Sequence, residues 1–406
     1  MSVQPKVAFV TGVNGISGNA IVEHMNRTPK TEWSKIIITS RSPLKTHWQD
    51  PRVEFVALDF LSPVETLIPN MTPCCTAVTH AYFTSYVHSD DFAKLKETNV
   101  PLFQKFLTAI DTVARETLQR HYGAHLHPIP QPCSEEHPRY DDKGENFYYP
   151  QEDFLFALQR ERKWTYNIIR PNGIVGQPSA PTDPYPRAEN GMSEALTLAL
   201  YFLISRETGE TPRFPGNVFY NCPDDNSYAP SLAQMSVWAT THPDPAVANG
   251  AFNHVNGDTF VWRYFFPRIG AYFGIDVPDS TFTRTSTSAS NTNTNSGTGT
   301  GTGTHQENEF RMASWAAAPK NQRAWESLCA KYGGNADAFT WGTWAFFDWG
   351  VGKAWRTLSS VSKARRFGWN RYDDTFESWI ETFWAFENAG GFAGSRWLRG
   401  GVQVQV

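Results

Sequence analysis

Three stretches near the N-terminus carry residue types suited to holding a dinucleotide. The first, Thr11-Gly12-Val13-Asn14-Gly15-Ile16-Ser17-Gly18, places glycines at 12, 15 and 18. Gly12 permits a tight turn, Gly15 lets the backbone approach a pyrophosphate, and Gly18 lets a following helix pack closely on the sheet. Free N–H groups at that helix start, with the positive end of its dipole, attract phosphate. Thr11, Asn14 and Ile16 belong to the same cofactor-contacting turn. The second stretch, Ser40-Arg41-Ser42-Pro43, lacks the acid that would accept from a ribose 2′-hydroxyl. Arg41, beside Ser40, instead offers a fixed cation with several donors, which suits the 2′-phosphate of NADPH. The third is Asp59-Phe60, where Asp59 is a candidate acceptor for an adenine amino group, a loop cap being the alternative.

The elements that must position these residues alternate in type. Lys6 to Val10 reads as a strand, Asn19 to Asn26 as a helix, and Lys35 to Thr39 as a nearly all-apolar second strand. Val53 to Leu58, Thr76 to Thr84 and Thr165 to Arg170 read as further strands. Continuous apolar strands alternating with helices predict a doubly wound parallel sheet, an α/β fold covered on both faces. Gly123 to Pro150, rich in Pro, His and acids, reads as a long loop over the sheet. Ser193 to Ser205 is a helix, and aromatic helical sequence resumes from Ala324 to Gly390. The expected organisation is a nucleotide-binding core over 1–185 and a mainly helical substrate-binding cap over 186–279 and 306–395, with some strands returning to the core sheet. The Ser/Thr/Asn/Gly run 280–305 has almost nothing to bury and reads as a disordered insertion, and the final GGVQVQV as a frayed end.

Composition narrows the function. Of 406 residues 14% are aromatic, including 15 Trp and 28 Phe, so a sizeable core is expected. A net charge of −4 from 36 basic and 40 acidic residues argues against a general nucleic-acid binder. Five cysteines without metal-like spacing, no apolar run long enough to span a bilayer and no signal peptide predict a cytoplasmic protein with reduced thiols. His121, His125, His127 and His137 lack the repeated ligand spacing of a zinc site, so no metal is expected. Glu135-Glu136 and Asp141-Asp142 read as a solvated acidic loop. The Trp and Phe residues of Thr340 to Trp355 recur at helical spacing, which favours core packing.

TGVNGISGNA, the SRSP after the second strand, NFYYPQED at 146–153, RPNGIVG at 170–176, FNHVNGDTFVW at 252–262 and SKARRFGW at 362–369 occur together. On these motifs the chain resembles the atypical short-chain dehydrogenase/reductases that include progesterone 5β-reductase and iridoid synthase, with fungal homologues. The resemblance runs from residue 6 to about 393, interrupted by the low-complexity insertion. It implies a Rossmann sheet, NADPH as cofactor, and reduction of a C=C bond conjugated to a carbonyl, in an unsaturated ketone or lactone of fungal secondary metabolism. It also implies that Tyr148, first tyrosine of the NFYY motif, stabilises the enolate oxygen and relays a proton, with Tyr149 packing or walling the substrate. Thr84 and Ile174 would lie near the nicotinamide. Tyr86, Met192, Phe202 and Trp341 are the expected pocket walls, since a flat unsaturated substrate favours aromatic surroundings.

One departure stands out. The family stretch resembles L-Q-T-G-x-K-H-Y-G, whose Lys contacts the nicotinamide ribose and lowers the tyrosine pKa. Here Thr117 to Gly123 reads TLQRHYG, so Arg120 stands where Lys is expected. Arg keeps the charge but not the ammonium geometry. Asp111 to Glu116, just before it, is too short and too charged for a full buried strand. A dinucleotide-binding protein without chemistry therefore remains an alternative. A carbonyl reductase is another, although Glu152 stands four residues after Tyr148 where Tyr-x-x-x-Lys would need Lys. The expected partner is a small hydrophobic unsaturated carbonyl compound, with no nucleic acid and no membrane, bound by a monomer or homodimer.

Overall fold

Alternate residues of the first strand enter different cores. In β1 (Lys6–Thr11), Val7 and Phe9 join one apolar cluster while Ala8 and Val10 join another on the opposite face. A period-two strand buried on both sides does this, and it marks the centre of a covered sheet. The computed structural model describes residues 5–44, 48–89, 92–114, 118–120, 130–139, 144, 146–177, 192–216, 218–278, 310–353 and 356–392. The low-complexity run 280–305, His121, His125, His127, Asp141, Asp142 and the C-terminal GGVQVQV lie outside the described residues.

The other strands are β2 (Trp33–Ser40), β3 (Val53–Ala57), β4 (His80–Tyr82), β5 (Leu118–Arg120), β6 (Tyr166–Pro171), β7 (Ile174–Val175), β8 (Pro223–Asp224), β9 (Ser227–Tyr228), β10 (Gly250–His254) and β11 (Phe260–Val261). Seven form one sheet in the order β10-β6-β5-β4-β1-β2-β3, with every pairing parallel. The chain thus winds outward from β1 in both directions, which creates a crevice beyond the carboxyl ends of β1 and β4. β10 is the strand that returns to the core from the C-terminal half. At the far edge β3 is largely exposed, so the expected two-sided cover stops short of it.

The helices are α1 (Ile16–Asn26), α2 (Val64–Cys75), α3 (Phe92–Val113), α4 (Tyr148–Gln159), α5 (Glu194–Thr208), α6 (Ala229–Thr241), α7 (Trp262–Tyr272), α8 (Met312–Ala316), α9 (Pro319–Tyr332), α10 (Ala338–Trp341), α11 (Trp344–Val351), α12 (Ser362–Arg366) and α13 (Thr375–Asn388). No described helix is long and apolar enough to cross a membrane. On one face of the sheet Phe103, Phe106 and Leu107 of α3 cover Phe9, Ile37 and Phe83; on the other Ile21 and Val22 of α1 and Ala233 of α6 cover Val10, Ile38 and Tyr82.

The cap has a core of its own around α5, whose residues Ala195 to Ser205 are all buried. Ser193 caps this helix by accepting from Leu196 N, and Gly209 ends it at a φ of 70°. Trp262, Trp325, Trp379, Phe383 and Phe386 are buried around it. Most of the aromatic surplus of the C-terminal half therefore packs against itself, ring edge to ring face, instead of facing a ligand.

Several expectations change at element ends. The fourth strand is three residues, His80–Tyr82: the α2 C-cap at Thr76 and a turn from Cys75 to Val78 take its start, and Thr84 bonds Thr11 past its end. The loop expected to reach Pro150 ends earlier, since α4 begins at Tyr148. Pro150 is tolerated there because first-turn N–H groups have no helical partner to lose. Glu135 is not simply solvated: its Oε1 accepts from the β10 amide of Asn253 at 2.7 Å. Arg120 does stand in a strand, the short β5, which pairs in parallel with β4 and β6.

Candidate active site

The glycine turn lies on the β1 side of the crevice. Gly12 has a φ of 64°, and a Cβ there would stand 2.7 Å from the Thr84 carbonyl oxygen. A Cβ on Gly18 would stand 2.5 Å from the Gly12 oxygen and 2.8 Å from Thr84 Oγ1. Only glycine fits either place. Thr11 Oγ1 accepts from the amides of Thr84 and Ser85 at 3.0 and 3.2 Å, while the Thr84 hydroxyl donates to the Thr11 carbonyl. Thr84 is thereby fixed against the turn. Gly15 caps α1, no side chain caps that helix, and its first turn carries no acid. Its open N-terminus suits a phosphate.

Asn14 reaches across to the loop after β2. Its Nδ2 donates to Ser40 Oγ at 3.0 Å, Ser42 Oγ at 3.1 Å and the Pro43 carbonyl at 2.9 Å. The turn and the loop carrying Arg41 therefore form one unit, with Arg41 exposed at its rim. Asp59 Oδ1 accepts from Leu61 N at 3.0 Å, the loop-cap geometry weighed above. The Phe60 ring is buried, edge-on to Phe106 at 5.2 Å, so that side chain belongs to the core.

The turn after β6 closes on the same place. Ile174 pairs with Ser227 of β9, and a Cβ on Gly176 would stand 3.3 Å from Ile16 Cγ2. Ile174 and Ile16, far apart in sequence, thus flank one crevice. Asn172 holds this turn by donating to Asp225 Oδ1 at 2.6 Å and to the Thr357 carbonyl at 3.2 Å.

NFYYPQED folds as the start of α4. Asn146 Oδ1 accepts from Tyr148 N at 3.0 Å, which orients the first turn. The Tyr148 ring packs on Phe147 with centroids 4.2 Å apart. Phe147 continues to Tyr86 at 6.1 Å, Tyr86 to His88 at 6.3 Å, and His88 to Phe346 of α11 at 6.3 Å. Phe346 stacks on Trp349 at 5.5 Å. This row of rings leads from the start of α4 and the loop after the central strand β4 onto the cap. Of its members, sequence reasoning singled out only Tyr148 and Tyr86. Phe147 had a signal, lying inside the motif, whereas His88, Phe346 and Trp349 come from segments whose meeting no spacing reveals.

The motif's other residues anchor it. Glu152 is buried and paired with Arg139 at 2.8 Å and Arg170 at 3.3 Å, while Arg139 also meets Asp153 at 2.6 Å. The Tyr149 ring lies under the Arg139 guanidinium at 4.8 Å. Gln151 donates to the carbonyl of Asn99, tying α4 to α3.

Among the expected walls, Met192 is partly accessible just before the start of α5. Trp341 packs at the margin of the cap core. Phe202 is corrected: it is fully buried between Phe266 and Phe273, with centroids 4.8 and 6.1 Å away, and has no surface to offer a ligand. The Arg120 side chain lies outside the described residues. The described residues hold no group of three His, Cys, Asp or Glu able to bind a metal, and His137 Nδ1 accepts from Ser134 N in a turn.

A parallel sheet wound outward from β1, with a glycine turn and an open helix N-terminus at its crevice, defines a Rossmann-type nucleotide-binding fold. The chain belongs to the PRISE-like Rossmann-fold domain family, whose model matches residues 8–285. It is 40% identical over 397 residues to "Short chain dehydrogenase gsfE" of Penicillium aethiopicum, covering 95% of this chain and 99% of that relative. It is 29% identical over 293 residues to 3-oxo-Delta(4,5)-steroid 5-beta-reductase of Arabidopsis thaliana, covering 66% of this chain and 70% of that one. Among solved structures it is similar in fold to Bordetella bronchiseptica WbmG in complex with NAD, at a TM-score of 0.59 and 12% identity, covering 96% of each chain.

Proposed function

We propose that the protein is an NADPH-dependent ene-reductase. It reduces the C=C bond of an enone or unsaturated lactone, in the cytoplasm and in fungal secondary metabolism. The cradle supports this reading: Gly12 and Gly18 leave no room for a side chain, the α1 N-terminus is open, and Arg41 is exposed on the loop that Asn14 ties to the turn. Thr11, Asn14, Gly15 and Ile16 line the pyrophosphate, Ser40 and Arg41 the adenosine end, and Thr84 and Ile174 the nicotinamide. NADPH, when bound, supplies the hydride to the carbon β to the carbonyl.

The chain's own residues do the rest. The Tyr148 hydroxyl donates a hydrogen bond to the carbonyl oxygen as negative charge gathers there, and it can pass a proton as the enolate is quenched. Asn146 sets the direction of the ring from the helix start, and the buried Glu152 pairs keep that start in place. Arg120 takes the electrostatic part of the family lysine. Phe147 backs the Tyr148 ring, while Tyr86, Phe346 and Trp349 exclude water and offer flat faces to a conjugated substrate.

The observation that carries this reading is the row of rings joining Tyr148 to the cap. NADPH oxidation over a panel of enones, with the product identified, tests it. A saturated ketone is expected. An allylic alcohol makes the protein a carbonyl reductase, and tight NADPH binding without turnover of any enone makes it a dinucleotide binder alone.

A further inference from the structure

Glu194 begins α5, at the seam between the core and the cap. Its Oε2 is 3.5 Å from where a Cβ on Gly173 would stand, and its Oε1 is 3.6 Å from the same place on Gly350. Gly173 directly precedes Ile174, and Gly350 directly follows Trp349. The carboxyl therefore lies between the turn assigned to the nicotinamide and the helix that ends the row of rings. The residue is partly accessible.

Its neighbours are satisfied and it is not. Asp224 accepts from Trp262 Nε1 at 3.1 Å and from Asp225 N at 3.0 Å. Asp225 accepts from Asn172 at 2.6 Å and from Ser359 N at 2.7 Å. Lys353, the nearby cation, donates to Thr357 Oγ1 at 3.0 Å. Among the described residues no donor reaches either oxygen of Glu194. A carboxyl this enclosed and without protein donors has only water to bond, and losing that water without a replacement donor is costly. Burial first, and then the Asp224 carboxylate, push its pKa up to about 7, while Lys353 opposes them.

We infer that Glu194 is a specificity-determining residue that accepts a hydrogen bond from a hydroxyl of the substrate, so that the preferred substrates are hydroxylated α,β-unsaturated carbonyl compounds. The inference rests on the reductase reading above. A site that hydrogen-bonds a substrate hydroxyl rejects the analogue lacking it, because the buried partner is left without a donor. An apolar enone dehydrates the carboxylate and returns nothing to it. A hydroxylated one replaces the lost water.

Two sets of matched compounds test this: chalcone with its monohydroxy isomers, and androst-4-en-3-one with testosterone. NADPH oxidation gives kcat and KM, calorimetry on the NADP⁺-loaded protein gives binding, and melting of the free protein reports on structure. At least one hydroxylated member should exceed its parent about tenfold or more in kcat/KM, mainly through KM. In Glu194→Leu that ratio should fall to about one, while the free protein melts at or above the wild-type temperature. A wild type without hydroxyl preference, a preference that survives Glu194→Leu, or a variant that only melts lower would each overturn the inference and leave the reductase reading intact. If no compound is reduced, the reductase reading fails instead. Calorimetry then decides the role of Glu194 by the same ratio, and absence of any binding preference overturns it.

Discussion

Thr84 and Gly12 touch through their backbones: the Thr84 carbonyl oxygen occupies the space, 2.7 Å away, that any side chain at position 12 would need. The same crowding recurs at Gly18, where a Cβ would meet both the Gly12 oxygen and Thr84 Oγ1. Gly18→Ala is expected to cost about 1–3 kcal/mol, the usual scale for overpacking. It should also weaken NADPH binding, since relief can come only by moving the turn. Thermal melting and fluorescence titration with NADPH check both effects. An unchanged melting temperature with unchanged affinity would show that the turn is loose.

Tyr148→Phe keeps the ring contact with Phe147 and removes the hydroxyl. Turnover of a reducible enone should fall about 10²–10⁴-fold, the span of a general acid–base contribution. NADPH affinity should change little, because the cradle lies on other elements. Stopped-flow hydride transfer with a parallel NADPH titration separates the two. Turnover at the wild-type rate would remove the hydroxyl from the mechanism.

Arg41 stands on a loop that Asn14 holds by three donated hydrogen bonds. Removing its guanidinium should leave that loop in place. Arg41→Ala is expected to weaken NADPH by about 10–100-fold, the equivalent of one charged hydrogen bond, with NADH nearly unaffected. Equal losses for both cofactors would refute a 2′-phosphate contact.

Glu152→Gln leaves Arg139 and Arg170 without their shared buried carboxylate. Arg139 is partly exposed, which softens the penalty, so a loss of about 2 kcal/mol is expected. Urea denaturation measures it. Because α4 begins at Tyr148, kcat should fall along with stability. A fall in stability alone would mean that Asn146 suffices to orient the tyrosine.

Burial, together with the Lys6 charge, lowers the pKa of His80 to about 4. The unfolded chain takes up this proton near pH 6.5, whereas the folded one does so only near pH 4. The stability tied to the neutral ring is thus complete above the unfolded value and is lost as pH falls toward the folded one. That loss is on the order of 3 kcal/mol. Asp225, raised to about 7 by burial and by Asp224, acts in the opposite sense, favouring the folded state as pH falls through the same window. The useful quantity is therefore a difference between proteins. His80→Gln should show a smaller loss of urea midpoint from pH 7 to pH 4.5 than the wild type, and equal losses would exclude the imidazole as the source.

What the sequence disclosed was local. The glycine turn, β1, β2 and α5 could be read because each carries its signal within a few residues: a glycine triplet, an apolar run, or Ser193 ahead of an apolar helix. Pro150 misled, since a proline that breaks a helix interior is harmless in a first turn. Phe202 misled differently, because aromatic content says how much ring surface must be covered and not what covers it. The meeting of Tyr86 with Phe147, of His88 with Phe346, and of Glu194 with Gly173 and Gly350 depends on how the cap settles on the sheet. No periodicity encodes those encounters.

β10 has a mechanical consequence. The chain leaves the nucleotide-binding layer for α5, returns through α6 to lay β10 beside β6, departs again for α7 to α11, and returns with α12 against β10. Its last helix, α13, then packs on α5. A half stitched to its neighbour by that many passes has no single pivot about which to swing. Parting the two halves as rigid bodies would therefore mean peeling β10 from β6 and α12 from β10 in one movement.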